Sequence, residues 1–370
     1  MKKTMIIGAD LVPTESNLEF FINCNIEELI GEDLLEIFNS VDYRIFNLEA
    51  PLCNFDSPIE KCGPNLKIKE ESINGIKELD PTCLVIGNNH ILDHGERGLI
   101  NTIKILNDKN IKYVGAGKNL EEAKKPYIIQ DGLYRIGVYS CAENEFSIAE
   151  NSRAGANPID FLETPDEIIN LKRNCDYLIV LYHGGKELYQ YPTPNLQKIS
   201  RKLVEKGADI VICQHSHCIG AEEEYMNGKI IYGQGNFIFD RNKNKLCDES
   251  ILVKLSLGEK IEVEYIPIIK QDNVIRLNKN GIKTIENFKN RSEKIKNSEF
   301  IEENWKKYCE NLKNYYLCSL AGFNRYGFFL NKLFKKNIIQ SIYKYEKKLK
   351  VKNHLNCESH LEVIRTILDN

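Results

Sequence analysis

No stretch of the chain reaches about 18 uninterrupted apolar residues, the length at which a run reads as a membrane-spanning helix. The apolar run near the amino terminus, Met5-Ile6-Ile7-Gly8, is too short for a signal peptide or an anchor. The chain is therefore expected to be cytoplasmic, with no membrane span. Charge of one sign is lacking too, since 50 Lys and Arg face 53 Asp and Glu for a net charge of -3. Neither nucleic acid nor an anionic membrane is expected as the main partner of so balanced a chain. Twelve cysteines include no Cys-x-x-Cys pair, and several, such as Cys83, Cys141 and Cys213, sit inside apolar runs. They read as small buried hydrophobes of a reducing compartment, with a zinc–cysteine site or a thiol nucleophile as the alternative. No internal repeat is visible.

What is present is more specific. A hydrophobic content of 42% over 370 residues is ample for a core, in one large domain or two. Of seven histidines, five (His90, His94, His183, His215 and His217) lie at or just past the ends of apolar runs, the first three next to Gly, Asn or Asp. The clearest case is Leu84-Val85-Ile86-Gly87-Asn88-Asn89-His90, with Asp93-His94-Gly95 just after it. This pattern predicts a buried strand that delivers polar side chains at its carboxyl end, where open α/β sheets place their sites. The plain alternative is a strand-to-helix turn capped by Asn and Asp.

The same pattern recurs. Met5 to Gly8 reads as a strand before Asp10, and Tyr43 to Phe46 as one before Asn47-Leu48-Glu49. Tyr177 to Leu181 precedes His183, Ile210 to Cys213 precedes His215-Ser216-His217, and Ile230 to Tyr232 precedes Gly233-Gln234-Gly235-Asn236. Helical patterns between the early strands argue a sheet covered by helices. Asp131-Gly132 marks a hairpin, and Ala142 to Asn157 is a polar loop long enough to border a site. Gly115-Ala116-Gly117 reads as a phosphate cradle or as a plain turn.

If the strands share one sheet, Asp10, Glu49, Asn89, His183, His215 and His217 converge on one edge. Two carboxylates, an amide and three imidazoles form a mixed oxygen and nitrogen set. Such a set suits divalent Mn, Fe, Zn or Ni and would be unusual for calcium. Six ligands exceed the need of one tetrahedral zinc and suit two divalent metal ions sharing a carboxylate, a device for hydrolysing phosphate esters. Asn47, Asn88, Asp93, Glu187 and Asn236 are expected beside these ligands or the substrate, or as turn residues. Asp93 and Glu187 could orient an imidazole through its second nitrogen.

Taken in order, Asp10, Asn47-Leu48-Glu49, Asn88-Asn89-His90, His183-Gly184, His215-Ser216-His217 and Gly235-Asn236-Phe237 resemble the poly-γ-glutamate capsule biosynthesis (CapA-like) family, a branch of the calcineurin-like metallophosphoesterases. The resemblance covers roughly residues 4–270. It implies a four-layer α/β/β/α sandwich with a two-metal centre on one edge, Asn89 as a ligand and His90 as the catalytic group beside the substrate oxygen. It also implies a hydrolase of phosphoesters, or of amides, in capsule or cell-envelope polymer biosynthesis. The alternative is a non-catalytic accessory protein that binds an anionic polymer or capsule-synthesis enzymes. The phosphoesterase motif Asp-x-His reads Asp10-Leu11-Val12 here, a loss the capsule family shares.

After Asn278 the composition turns Lys-, Glu- and Asn-rich, with aromatics such as Trp305, Tyr308, Tyr315 and Tyr316 at helical spacing. A sandwich domain over residues 1–278 and an α-helical carboxyl-terminal extension over residues 279–370 are expected. The aromatics are read as a packing face.

Overall fold

Apolar side chains that alternate between two directions along each strand set the architecture. The computed structural model describes residues 2–132, 134–239 and 244–320, with Phe329 and residues 345–357, 359–361 and 363–364. In chain order the strands are Lys3–Leu11 (β1), Tyr43–Leu48 (β2), Cys83–Val85 (β3), Tyr113–Val114 (β4), Ala116–Gly117 (β5), Tyr127–Gln130 (β6), Arg135–Ala142 (β7) and Gly155–Ala156 (β8). Then come Tyr177–His183 (β9), Ile210–Gln214 (β10), Glu222–Tyr225 (β11), Gly228–Ile231 (β12), Asn236–Ile238 (β13), Glu249–Leu257 (β14), Glu262–Gln271 (β15) and Val274–Leu277 (β16). One sheet has the order β16-β15-β14-β1-β2-β3-β4, with β13 pairing β1, and a second has the order β11-β12-β10-β9-β7-β6.

The two sheets stack face to face. Met5 and Ile7 of β1, Ile45 of β2, and Val253 and Leu255 of β14 share one apolar cluster with Ile179 and Leu181 of β9 and Ile210 and Ile212 of β10. The alternate residues face outward. Ile6, Phe46, Leu48 and Leu252 pack with the helical residues Leu34, Phe38, Leu99 and Ile103. Leu178, Val180, Val211 and Cys213 pack with Ile168, Leu196, Ile199 and Leu203 of the helices Thr164–Lys172 and Pro194–Glu205. The result is the expected four-layer α/β/β/α sandwich. Burial on both faces explains why the central strands are continuous apolar runs.

In each sheet the central strands run parallel: β1, β2, β3 and β4 in one, and β7, β9, β10 and β12 in the other. Their carboxyl ends therefore collect on one edge. The hairpin at Asp131-Gly132 joins β6 to β7 as expected. Gly115, read as a phosphate cradle or a turn, serves close packing. A Cβ there would lie 2.6 Å from Ser140 Oγ and 3.0 Å from Gly87 Cα, and its φ is +93°.

The chain divides into two compact units, Met1–Ile301 and Glu302–Asn370. The boundary expected at 278/279 thus falls inside the first unit. The helix Ile282–Lys294 lies in that unit because Phe288 is buried against Tyr265, with ring centroids 4.8 Å apart, in a cluster with Ile219 and Ile251. The second unit holds most of the helix Ser298–Leu320 and the helix Tyr345–Asn356. Trp305 and Tyr308 stack on each other there, while Tyr315 and Tyr316 are exposed. No helix among the described residues is long and apolar enough to cross a membrane.

Candidate metal centre

The residues singled out at strand ends meet on the shared carboxyl edge, across the two sheets. Asp10 lies in β1 opposite Asn47 of β2, and Glu49 follows β2 directly. Asn88, Asn89 and His90 lie in the turn after β3. From the second sheet, His183 ends β9 beside Gln214 of β10, and His215 and His217 follow β10. Both of these histidines take positive φ, 92° and 54°, a region that side-chain-bearing residues rarely adopt. Such backbone conformations persist where the surroundings enforce them, typically at functional sites.

Two groups of side chains are close enough to hold a cation, with ligand atoms all within 4.8 Å of one another. One is Glu49, His183 and His215; the other is Asp10, Glu49 and His217. Glu49 belongs to both. Asn89 extends the first group, its Oδ1 lying 3.0 Å from His183 Nε2. That nitrogen is 3.3 Å from Glu49 Oε1.

Neighbouring amides aim the ligands. Asn88 Nδ2 donates to Asn47 Oδ1 at 3.1 Å, and Asn47 Nδ2 donates to Asp10 Oδ1 at 2.8 Å. Asp10 Oδ2 is thereby left for the centre, 3.1 Å from His217 Nδ1. Asn236 Oδ1 is 2.8 Å from the same nitrogen. His90 Nδ1 meets Asp93 Oδ2 at 2.6 Å. Asp93 thus contacts an imidazole through a ring nitrogen. Glu187 is exposed in the turn after β9, outside this buried set.

The residues present fit a divalent cation. Buried without a hydrogen-bond partner are both Glu49 carboxylate oxygens, Asp10 Oδ2 and His215 Nδ1. Leaving such groups unmatched is costly unless a ligand meets them. Electrostatics point the same way. Burial, with Asp10 beside it, pushes the Glu49 carboxyl up to about 8. Burial pushes His183 down to about 4, and burial followed by His183 pushes His215 well below the usual imidazole range. For His217 burial acts downward, but Glu49 and Asp10 outweigh it and raise the imidazole to about 10. For Asp10 burial acts upward, and contact with His217 overcomes it to keep the carboxyl low. The cluster thus holds protons where a cation would replace them.

Sequence reasoning missed two participants. Lys61, whose side chain is 3% exposed, forms an ion pair with Asp93 and sits 3.2 Å from His90 Nδ1. It lies in a Pro- and Gly-containing loop with no signal of its own. Glu145 accepts from Asn89 Nδ2 at 3.0 Å. Its loop reads as one bordering a site, but nothing in the sequence singles out the residue.

Residues 13–241 match the family described as bacterial capsule synthesis protein PGA_cap. Among curated relatives, the capsule biosynthesis protein CapA of Bacillus anthracis is 27% identical over 234 residues, 58% of this chain and 56% of that protein. The PGA biosynthesis protein CapA of Bacillus subtilis (strain 168) is 28% identical over 223 residues, 58% of each. The chain thus spans little more than half the length of these relatives. Among solved structures, a phosphatase from Mycoplasma pneumoniae is similar with a TM-score of 0.47 and 16% identity, covering 74% of this chain and 95% of that one. A 5'-nucleotidase precursor from Thermus thermophilus gives 0.44 and 13%, covering 75% and 54%.

Proposed function

Because the chain belongs to the bacterial capsule synthesis protein PGA_cap family, we propose that it is a cytoplasmic metal-dependent hydrolase in capsule or cell-envelope polymer biosynthesis. Its substrate on this reading is a phosphoester, within or derived from an anionic polymer. The observation that carries the reading is Glu49, shared by two ligand groups with both carboxylate oxygens buried and without a hydrogen-bond partner. Glu49, His183, His215 and Asn89 would hold one divalent ion, and Asp10, Glu49 and His217 a second. When bound, such a pair polarises the phosphoryl oxygens and lowers the pKa of water.

The chain's own residues do the rest. Asp93 holds His90 by Nδ1, which leaves Nε2 to contact a substrate oxygen and, when the ring is the imidazolium, to hand its second N–H proton to the leaving group. A cleft of about 480 Å³, lined by Val12, Thr14, Asn65, Leu66, Lys67 and Phe239, lies beside these groups. The Leu66 backbone N–H donates to Asp93, and the Phe239 ring stands edge-on to His217 at 5.5 Å. The cleft would take the part of the substrate that does not react.

A second reading, an accessory protein that binds anionic polymer or capsule-synthesis enzymes without turnover, is favoured by the relatives' names, which speak of biosynthesis and not of hydrolysis. Turnover of p-nitrophenyl phosphate by the Mn²⁺-loaded protein, with bound metal measured on the same sample, separates the two. Full metal occupancy with no turnover of this or other phosphoesters removes the hydrolase reading.

A further inference from the structure

A carboxamide has two ends of nearly equal size, and only its oxygen can ligate a cation. Asn89 is useful to the centre in one orientation only. We propose that Glu145 is a positioning residue that fixes this orientation, an assignment resting on the metal reading above. Asn89 Nδ2 donates to Glu145 Oε2 at 3.0 Å, while Asn89 Oδ1 points the other way, 3.0 Å from His183 Nε2. Reversing the amide would set its oxygen against the Glu145 carboxylate and turn its NH₂ toward the cation. Both changes are repulsive.

The backbone that carries Glu145 is itself held in place. The segment after β7 is tied to the end of β9, where Glu143 N donates to His183 O at 2.9 Å and Gly185 N donates to Glu143 Oε1 at 2.9 Å. Glu145 N donates back to Glu143 O at 2.9 Å. On its other side the segment is tied to Asn89 through Ser147 Oγ, which donates to Asn89 O at 2.6 Å and accepts from Leu92 N at 3.2 Å. One short loop therefore fixes both the backbone and the side chain of Asn89. Glu145 is exposed apart from this contact.

The test is Mn²⁺ affinity of the full chain, measured by isothermal titration with melting temperature recorded in parallel. Glu145→Ala is expected to weaken Mn²⁺ binding about 10- to 100-fold, the usual effect of removing a partner of a metal ligand. Glu145→Gln, whose side-chain oxygen accepts the same hydrogen bond, should recover most of the loss. The decisive variant is Asn89→Asp combined with Glu145→Ala. A carboxylate presents an oxygen whichever way it turns, so this pair should bind Mn²⁺ more tightly than Glu145→Ala alone. The added charge tightens Mn²⁺ binding in any background, so Asn89→Asp alone is the control: with Glu145 orienting the amide, the Asn89→Asp step gains more affinity in the Glu145→Ala background than in the wild type. Wild-type affinity in Glu145→Ala, or an equal gain from Asn89→Asp in both backgrounds with native melting temperatures, overturns the assignment alone. A wild type that binds no Mn²⁺ overturns the metal reading and the assignment with it.

Discussion

His90 and Asp93 are joined through Nδ1 and Oδ2 at 2.6 Å, three residues apart in a tight bend after β3. The bond fixes the ring and leaves Nε2 as the nitrogen open to substrate, next to Asn89 of the ligand set. On the proposed reading, a group placed this way would act on the transition state rather than on metal retention. His90→Asn should therefore keep its metal and its fold while losing about 10²- to 10⁴-fold in kcat, the usual range for a general acid or base. Metal content and kcat measured on one preparation check this. Loss of metal in His90→Asn would make His90 a ligand.

Beneath that pair, the Lys61 ammonium neutralises Asp93, with both side chains almost wholly buried. Removing one partner of such a pair leaves an uncompensated charge, typically worth about 3–5 kcal/mol. Lys61→Met should lower the denaturant midpoint accordingly. Adding Asp93→Asn should return part of the loss, because the neutral amide no longer needs a cation. A double variant destabilised by the sum of the two single losses would mean that Lys61 and Asp93 are not coupled.

The ligand set predicts a selective effect on metal content. His217 is shared between Asp10 and Asn236 at the centre, whereas His354 belongs to the carboxyl-terminal helix Tyr345–Asn356. His217→Ala should lower the bound metal measured by plasma emission, and His354→Ala should leave it unchanged. Equal content in all three proteins would remove the centre as described.

Much of this was legible in the sequence for a physical reason. A parallel strand buried on both faces must be apolar throughout, so a polar group at its carboxyl end stands out against the run before it. Asp10, Glu49, Asn89, His183, His215 and His217 stand out in this way, without knowledge of which strands are neighbours. Lys61 and Glu145 belong to loops, where polar residues are ordinary and only the folded chain brings them to Asp93 and Asn89. The domain boundary was obscured similarly. The change of composition after Asn278 is real, but the buried Phe288 ring, with hydrogen bonds through Arg291 and Ser292, holds the next helix to the sandwich despite its polar sequence.

That ring yields a prediction about truncation. A fragment ending at residue 278 would uncover Tyr265, Ile219 and Ile251, which Phe288 covers. It would also lose the bonds from Arg291 Nε to Gly220 O at 2.7 Å and from Glu222 N to Ser292 Oγ at 2.8 Å. A fragment ending at residue 301 keeps all of these and should melt cooperatively, while the shorter one should aggregate. Phe288→Ala in the full chain should cost about 3–5 kcal/mol. A soluble, cooperatively melting 278-residue fragment would show that the helix is dispensable.

The protonation pattern of the centre makes metal stabilisation depend on pH. Glu49, raised from 4.5 to about 8, favours the metal-free fold below pH 4.5, and that contribution is lost as pH rises through 8. His217, raised from 6.5 to about 10, acts in the same sense over pH 6.5 to 10. His183, lowered from 6.5 to about 4, has the opposite sign: its contribution is present above pH 6.5 and lost as pH falls toward 4. Between about pH 6.5 and 9 the first two dominate the change, so the chelator-treated protein should lose stability across that window. A divalent cation takes the place of those protons, so the loaded protein should lose less. The difference in melting temperature between Mn²⁺-loaded and chelated protein is expected to widen steadily from about pH 6.5 to 9. In Glu49→Gln, where the shared carboxyl no longer titrates, the widening should shrink. A difference that stays flat with pH in the wild type would show that no protons leave the cluster when the metal enters.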